Sequence, residues 1–312
     1  MENKYDIIGD IHGCAITLKA LLDELGYKPI KGIYSHPNRQ VIFLGDFIDR
    51  GPHQRKVVEV VRPMIENGTA LSVMGNHEFN AIAWSEFDLD RNDYMRPHTP
   101  VRQRQHQAFL DAYQDKDEQK QDTIEWFKTL PLWLDLGGVR IIHACWDIEA
   151  MDRVKPYLTM DNSLTNDFLI KATTYGSQQF KDVETLLKGK EVALPKGFSF
   201  TDKDGHEWPN IRIRWWDQTA KTYQKAFFGR ASDLKHVPNI EIASDISIEY
   251  PKNMAPVFIG HYWMHGKPTV LTDNIACVDY SVAKPGGNLV AYRWDGEKKL
   301  INNKFVSVQR QD

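Results

Sequence analysis

Short apolar runs alternate with amphipathic stretches through the first third of the chain. The runs YDIIGD (residues 5–10), VIFLGD (41–46) and TALSVMGN (69–76) have the length and character of buried strands. Leucines between residues 18 and 25 recur on one helical face, and residues 54–65 carry a second helical pattern. This alternation of strand and helix predicts a parallel sheet that is covered by helices.

The rest of the chain carries further strand patterns. LPLWLDLGGVRIIHACW predicts a hairpin that turns at Gly137 and Gly138, and Asp204 with Gly205 predicts a second tight turn. Residues 151–195 are mainly helical in pattern. The runs PVFIGH, KPTVL, IACVDY and NLVAYRWDGEKKL near the end predict a second sheet. We therefore expect an α/β fold, a four-layer αββα sandwich of two mixed sheets with outer helices.

Residues 86–121 differ in composition from the segments on either side. Their first half, RNDYMRPHTPVRQRQHQ, is basic, and their second half, DAYQDKDEQKQD, is acidic. Prolines interrupt the region before helix-forming residues follow. We expect a polar helical insertion within a single domain over residues 1–312, because no linker and no internal repeat divides the chain. The insertion is either a solvated surface or a cap that faces a substrate.

Charge and composition exclude several classes of function. A net charge of −3 on 312 residues offers no broad attraction to nucleic acid or to an anionic membrane. There is no apolar run of membrane-spanning length, and the first predicted strand begins too early for a signal peptide. Cys14, Cys145 and Cys277 are far apart and odd in number, so we expect buried, reduced thiols in a cytoplasmic protein without membrane partners.

Three glycine-containing motifs close the three predicted strands of the first sheet. They are GDIHG from Gly9, GDFIDRG from Gly45 and GNHE from Gly75. Ligands gather at the carboxyl ends of parallel strands, so the polar side chains of these motifs should share one edge. Asp10 and His12 are two residues apart and point the same way in an extended chain, which would present an oxygen and a nitrogen to one metal ion.

The three motifs resemble the signature of the calcineurin-like metallophosphoesterases. The resemblance covers residues 9–78 and is to the phosphoprotein phosphatase (serine/threonine protein phosphatase) branch, which also holds the bacterial symmetrical dinucleoside tetraphosphatases. It implies two divalent metal ions with Asp46 as the bridge. The implied ligands are Asp10, His12, Asp46, Asn76, His143 and His261.

The last of these ligand positions and the identity of the metal stay open at this stage. His265 competes with His261 for the final ligand position, because both lie in the same predicted loop. The mixture of carboxylate, amide and imidazole suits manganese, iron or zinc better than calcium. We expect Mn²⁺ at both metal positions, with iron or zinc as the alternatives.

The resemblance also implies catalytic roles. A water that bridges the two metals would attack phosphorus in line. His77 would be the general acid and Asp49 would orient its imidazole. Arg50 would grip the phosphoryl oxygens together with a second arginine, either Arg212 or Arg214, which alternation puts on the same face of a strand. Arg214 is slightly preferred for this second position.

Two substrate classes compete. GDFIDRGP and GNHE favour a phosphomonoesterase similar to the serine/threonine protein phosphatases, although HACW stands where that branch has His-Gly-Gly. The tail CVDYSVAKPGGNLVAYRW resembles the bacterial tetraphosphatases, and four arginines of the insertion could hold a polyphosphate chain: Arg91, Arg96, Arg102 and Arg104. We expect a phosphorylated protein as substrate first and a dinucleoside tetraphosphate as the alternative. An inactive scaffold or regulatory protein of the same fold is disfavoured because every expected ligand position is filled.

Overall fold

The structure is a computed structural model that describes residues 4–201, 207–242 and 250–312. The turn predicted at Asp204 and Gly205 lies outside these residues. The strands are β1 (Tyr5–Ile8), β2 (Lys28–Ile30), β3 (Ile33–Ser35), β4 (Gln40–Phe43), β5 (Ala70–Ser72), β6 (Phe87–Asp88), β7 (Asp93–Tyr94), β8 (Trp133–Asp135), β9 (Arg140–Ile142), β10 (Glu191–Ala193), β11 (Phe200–Thr201), β12 (Glu207–Trp208), β13 (Asn210–Arg212), β14 (Val257–Ile259), β15 (Ile275–Cys277), β16 (Asp279–Tyr280), β17 (Asn288–Trp294) and β18 (Phe305–Gln309). The helices are α1 (Ala15–Glu24), α2 (Gln54–Glu66), α3 (Asn76–Ser85), α4 (Pro100–Ala112), α5 (Asp117–Lys128), α6 (Ile148–Val154), α7 (Asn166–Thr173), α8 (Gln178–Lys188) and α9 (Tyr223–Ala226).

The first sheet joins the two ends of the described chain. Its order is β16-β17-β1-β4-β5, and β18 also pairs with β17. β17 runs antiparallel to β1, so that Trp294 lies opposite Tyr5, whereas β1, β4 and β5 are mutually parallel. The carboxyl ends of β1, β4 and β5 therefore lie at one edge of the sheet, where the three glycine motifs follow them.

The second sheet is also mixed. Its order is β15-β14-β9-β8. β14 is parallel to both β9 and β15, and β8 runs antiparallel to β9 in the hairpin that was predicted at Gly137 and Gly138. The parallel strands again direct their carboxyl ends toward a common edge. β9 and β14 lead directly into the segments that hold His143 and His261.

Alternating side chains of the strands divide the core into layers. Ile7 of β1 is buried in a cluster with Ile141 and Phe258 of the second sheet, so apolar side chains fill the space between the two sheets. The next residue, Ile8, belongs instead to the cluster that contains the apolar faces of the helices, including Leu18 of α1. Burying each such side chain contributes about 1.5–3 kcal/mol. The structure confirms the predicted αββα sandwich.

The insertion begins with a short hairpin rather than a helix. β6 and β7 pair with Phe87 opposite Tyr94, and α4 and α5 follow. Thr99 caps α4 by accepting the Arg102 backbone N–H, and Pro100 occupies the first turn, where its missing N–H costs nothing. α5 continues to Lys128, beyond the predicted boundary at residue 121, because its apolar face, with Ile124 and Phe127, packs into the core.

One predicted strand is wrong. Residues 267–271, all of which the structure describes, form no strand. The backbone N–H groups of Thr269 and Val270 bond to side chains, and the Leu271 N–H donates to the Ile275 carbonyl at 2.9 Å across a tight turn. The Thr269 N–H donates to the Tyr280 hydroxyl at 3.0 Å, and the Val270 N–H donates to Asn302 Oδ1 at 2.8 Å. The apolar run KPTVL thus satisfies its hydrogen bonds as a loop.

Two further properties bear on the expectations from sequence. Cys14, Cys145 and Cys277 are buried free thiols, and burial raises the pKa of Cys14 to about 12. Within the described ranges, no helix has both the length and the apolar character needed to cross a membrane.

Candidate metal centre and substrate groove

The predicted metal ligands follow five strands of the two sheets and meet at one edge of the sandwich. Each is within four residues of the end of its strand. Asp10 and His12 follow β1, Asp46 follows β4, Asn76 follows β5, His143 follows β9 and His261 follows β14. All are buried except His261, which is partly exposed. The structure therefore brings together side chains that are separated by up to 251 residues in the chain.

Several residues of this edge have a strained backbone. Positive φ angles occur at His12 (46°), Asp46 (50°), Asp49 (67°), Arg50 (70°) and His261 (69°). A residue other than glycine in this region costs of order 1–3 kcal/mol, so the surrounding structure has to hold it there. The strain is concentrated in the loops that carry polar side chains, which is where functional sites commonly have it.

Two glycines allow the second and third motifs to cross in direct contact. A Cβ atom on Gly45, whose φ is +82°, would lie 2.2 Å from the Gly75 nitrogen. A Cβ atom on Gly75 would lie 2.3 Å from Asp46 Oδ1. Neither position has room for a side chain. The close approach is what brings Asp46 and Asn76 into one cluster.

Asp46 lies at the centre of the cluster. Its Oδ2 is 3.6 Å from His12 Nε2 and 3.5 Å from His143 Nε2. Two groups with ligand atoms within 4.8 Å of one another share it, namely Asp46 with His12 and His77, and Asp46 with His143 and His261. A carboxylate common to two such groups has the geometry of a bridge between two cations.

The tautomers of the buried histidines also suit a cation. His12 Nδ1–H donates to the Ile48 carbonyl at 2.9 Å, and His143 Nδ1–H donates to the Leu44 carbonyl at 2.7 Å. Each bond leaves Nε2 directed at the cluster, the arrangement that protein metal sites use. His12 Nε2 is buried and has no hydrogen-bond partner among the described residues. The donor set therefore fits divalent cations.

Asn76 joins the two later histidines. Its Oδ1 is 2.7 Å from His261 Nδ1 and 3.2 Å from His143 Nε2. His265, the competing candidate, is exposed and belongs to neither ligand group. The geometry thus favours His261 over His265 at the last position.

Asp10 differs from the other predicted ligands. It belongs to neither ligand group in the described residues, and its carboxylate accepts the His261 backbone N–H at 3.1 Å. Burial and the neighbouring carboxylate of Asp279 raise the pKa of Asp10 well above its usual value. Three buried carboxylates, those of Asp10, Asp46 and Asp279, are thus close together, a density of negative charge that a cation would relieve.

The side chains of the second ligand group change one another's pKa values. Burial alone would raise the pKa of Asp46, but His143 and His77 hold it well below its usual value. Burial alone would lower the pKa of His143, but Asp46 raises it to about 10. For His261, burial and the adjacent Arg212 lower the pKa well below the usual value. His261 is therefore neutral at pH 7 and can offer a lone pair.

His77 is held by Asp49 next to this cluster. Its Nδ1 lies 2.5 Å from Asp49 Oδ2, and its Nε2 lies 3.4 Å from Arg50 Nη2. The Arg50 guanidinium also lies 4.0 Å above the centre of the Trp263 ring. A second imidazole, His106 of the insertion, contacts the other oxygen of Asp49 at 2.9 Å. No local pattern indicates this contact, because nothing in the sequence links residues 49 and 106.

Glu78 is a structural contributor that was not singled out from sequence. Its carboxylate accepts backbone N–H groups from Asp46 at 2.7 Å, Phe47 at 2.8 Å and Gly75 at 3.0 Å. These bonds fix the loop that carries Asp46 against the start of α3. Its place at the fourth residue of GNHE, where an acid caps a helix, was the available signal.

The two candidate arginines have different partners. Arg212 Nη1 lies 3.1 Å from His261 Nε2, whereas the Arg214 guanidinium donates to the Lys225 carbonyl. The contacts therefore favour Arg212 over the slightly preferred Arg214. The side chains keep alternating past the end of β13, since Ile211 and Ile213 are both buried in one apolar cluster, so the two arginines differ in the partners that their guanidinium groups reach.

A groove of about 800 Å³ leads from the cluster along the insertion. Its cations are Arg50, Arg96, Arg102, Arg104 and Lys188. In the part of the chain that is described, Arg96, Arg102 and Arg104 have no carboxylate within ion-pair distance, and Arg96 bonds only to the neutral Asn80 and Gln105. Burial and the nearby Arg102 lower the pKa of Arg96 to about 10, which leaves it charged at pH 7.

The fourth arginine of the insertion faces elsewhere. Arg91 Nε pairs with Asp88 at 2.5 Å, and its Nη1 donates to the Thr173 carbonyl at 3.0 Å. Of the four arginines considered from sequence, three line the groove and Arg91 does not. The insertion is thus partly a wall of the groove and partly packed against α7.

Two known proteins with similar sequences are named as bis(5'-nucleosyl)-tetraphosphatases. The chain is 33% identical over 147 residues to bis(5'-nucleosyl)-tetraphosphatase PrpE [asymmetrical] of Oceanobacillus iheyensis, covering 45% of this chain and 55% of that protein. It is 48% identical over 75 residues to the protein of the same name from Halalkalibacterium halodurans, covering 24% and 30%. The chain thus spans about half or less of the length of these relatives.

Solved structures share the fold at low identity. A protein serine/threonine phosphatase from Saccharomyces cerevisiae matches with a TM-score of 0.52 and 14% identity, covering 100% of this chain and 81% of that one. A cold-active protein-tyrosine phosphatase of a Shewanella species matches with a TM-score of 0.50 and 15% identity, covering 98% and 80%. The family model for calcineurin-like phosphoesterases matches residues 4–188, more than half of the chain. The chain therefore belongs to the calcineurin-like phosphoesterase family.

Proposed function

We propose that the protein is a phosphoesterase that uses two divalent cations. One cation would be held by Asp10 and His12, the other by Asn76, His143 and His261, with Asp46 shared between them. Bound there, the cations would activate water and neutralise the charge of the phosphoryl group. Manganese is the proposed metal, and metal analysis after reconstitution with manganese, iron or zinc would test both its identity and the expected two equivalents.

The protein's own side chains would bind the phosphoryl group and supply the proton. Arg50 and Arg212 carry permanent charge at the two sides of the cluster, and each offers paired donors to phosphoryl oxygens. His77 would hold a proton at Nε2 for the leaving oxygen, while Asp49 accepts from Nδ1 and fixes the orientation of the ring.

We propose a nucleoside polyphosphate, such as a dinucleoside tetraphosphate, as the substrate class. The observation that carries this proposal is the groove with Arg50, Arg96, Arg102, Arg104 and Lys188 along its walls. A phosphomonoester needs one phosphate site, whereas a polyphosphate chain needs charge along its length. The names of the relatives from Oceanobacillus iheyensis and Halalkalibacterium halodurans support the same class.

A phosphorylated protein is the second candidate substrate. It is favoured by the exposed apolar side chains of Leu89 and Tyr94 on the hairpin of the insertion, which a peptide could contact. The motifs of the metal cluster do not separate the two candidates, because both need the same attack on phosphorus.

We also propose that residues 1–312 form one domain, since β17 pairs with β1.

The deciding experiment compares substrates on the manganese-loaded protein. Diadenosine tetraphosphate and a library of phosphoserine, phosphothreonine and phosphotyrosine peptides are assayed separately, and the nucleotide products are resolved by chromatography. A kcat/KM for the nucleotide far above that for every peptide supports the proposal. The products then distinguish symmetrical cleavage to ADP from asymmetrical cleavage to ATP and AMP. Preference for peptides would replace the proposal with the second candidate, and failure to cleave any phosphoester would refute both.

A further inference from the structure

Asp49 is shared by two imidazoles that come from different parts of the fold. Its Oδ2 contacts His77 Nδ1 at 2.5 Å, and its Oδ1 contacts His106 Nδ1 at 2.9 Å. We infer that His106, a residue of the insertion, is a positioning residue that acts on His77 through Asp49. This inference rests on the proposed phosphoesterase chemistry but not on the proposed nucleotide substrate.

The His106 ring is held in place for this contact. It is only 4% exposed, and it stacks on Phe109 one turn later in α4 with the ring centres 4.8 Å apart. The ring centre of Trp84 in α3 lies 5.7 Å from the ring centre of His106. The ring can therefore change its orientation only by disturbing the packing between α3 and α4.

The direction of the hydrogen bonds follows from the carboxylate. His77 and His106 hold the pKa of Asp49 below its usual value although burial alone would raise it, so Asp49 is ionised and can only accept. Both imidazoles therefore donate from Nδ1. His106 Nε2 is buried without a hydrogen-bond partner in the described residues, which leaves the bond to Asp49 as the polar contact of this ring.

The consequence concerns the rotation of the Asp49 carboxylate. The described residues supply one side-chain donor to each of its oxygens, His77 to Oδ2 and His106 to Oδ1. With His106 as a donor, rotation about the Cβ–Cγ bond would break both hydrogen bonds. Without that donor, Oδ1 would be a buried, unsatisfied acceptor that competes for the His77 proton. His106 thus keeps Nε2 of His77 directed at the leaving oxygen.

A matched pair of substitutions separates positioning from packing. His106→Asn retains an N–H donor at the place of Nδ1, whereas His106→Gln offers its N–H at the place of Nε2. Both are assayed on p-nitrophenyl phosphate, a good leaving group, and on phenyl phosphate, a poor one that depends more on proton donation. We expect His106→Gln to lower kcat roughly tenfold on phenyl phosphate and only about twofold on p-nitrophenyl phosphate.

His106→Asn should recover most of the activity on both substrates, and both variants should retain the metal content of the parent protein. Equal losses on the two substrates, or equal losses in the two variants, would show that His106 only packs the insertion. Wild-type behaviour of His106→Gln would also overturn the inference.

A readout that needs no turnover is the proton NMR signal of the His77 Nδ1–H in the zinc-loaded protein, because Zn²⁺ is diamagnetic whereas Mn²⁺ would broaden the signal. The signal is identified by its absence in His77→Gln. It should persist in His106→Asn and be lost or broadened in His106→Gln. An unchanged signal in His106→Gln would refute the role of His106. Because the aryl phosphates and the NMR signal involve no nucleotide, failure of the substrate proposal would leave this result independent.

Discussion

The guanidinium of Arg212 contacts the imidazole of His261, with Nη1 3.1 Å from Nε2. This contact joins the end of β13 to the proposed metal cluster, although 49 residues separate the two side chains. Arg214, only two residues further on, is directed at the Lys225 carbonyl instead. The pair offers a matched comparison of two arginines in one segment.

Arg212→Ala should lower kcat/KM for phosphoester hydrolysis by roughly 10- to 100-fold, the range that a lost hydrogen bond to a charged group of ~1.5–3 kcal/mol produces. Arg214→Ala should change it less than about twofold. Steady-state kinetics of both variants checks the prediction. A larger loss in Arg214→Ala than in Arg212→Ala would contradict the assignment of Arg212.

His77→Ala tests the proposed proton donor. Because His77 contacts Asp49 through Nδ1 and is not among the proposed metal ligands, kcat should fall by about 10²- to 10⁴-fold while metal content stays near that of the parent. Turnover and elemental analysis are measured on the same sample. Loss of both metals from His77→Ala would mean that His77 is a ligand, as its place within 4.8 Å of Asp46 and His12 also permits.

The groove predicts that its arginines affect KM for a long substrate and not for a short one. The double variant with Arg102→Ala and Arg104→Ala should raise KM for diadenosine tetraphosphate by at least about tenfold, because it removes two arginines of the groove that have no carboxylate within ion-pair distance in the described residues. KM for p-nitrophenyl phosphate should change little. The effect should shrink as the salt concentration rises, since exposed charges are screened.

Arg91→Ala is the control for this variant. It removes a positive charge from the same insertion, but Arg91 pairs with Asp88 and does not line the groove. KM for the nucleotide should therefore stay close to that of the parent. Equal increases in KM for the control and for the double variant would attribute the effect to net charge rather than to the groove.

The contacts of Asp312 predict that its carboxylate stabilises the fold in a pH-dependent way. Its buried carboxylate accepts the backbone N–H groups of Ile16 and Thr17 at the start of α1 and contacts His53 Nδ1 at 2.8 Å. Burial alone would raise the pKa of Asp312, but the bonds from Thr17, Ile16 and His53 lower it. A carboxyl group whose folded pKa is lowered stabilises the protein above its unfolded pKa and loses this effect as the pH falls through the folded value.

Asp312→Asn keeps an acceptor for these N–H groups but removes the negative charge at the start of α1, so it should lower the free energy of unfolding by about 0.3–1 kcal/mol at pH 7. The difference from the parent should shrink as the pH falls below about 4. Thermal unfolding at a series of pH values checks this, with Glu24→Gln at the exposed end of α1 as the control. A difference that is constant with pH would contradict the role of the Asp312 charge.

The alternation of apolar runs and glycine motifs determined the sandwich and the neighbourhood of the cluster. Asp10, Asp46 and Asn76 could be predicted as neighbours because each follows a buried parallel strand, and local periodicity is enough to specify where such strands end. His143 and His261 were instead implied by the resemblance to the calcineurin-like phosphoesterases, and the structure places each of them after a strand of the second sheet. Residues 267–271 show where this reasoning fails, since an apolar run alone does not say whether a neighbouring strand is available to accept its hydrogen bonds.

Only the tertiary structure decided the contacts that depend on how segments pack. Arg212 rather than Arg214 reaches His261, although both arginines alternate with the buried Ile211 and Ile213, because the placement of this segment beside the loop after β14 decides which guanidinium lies next to the cluster. The bond from His106 to Asp49 spans 57 residues and arises from the packing of α4 against α2, the helix that follows the Asp49 loop. Periodicity describes which side of an element is apolar, whereas such contacts depend on the relative position of two elements, which no local pattern encodes.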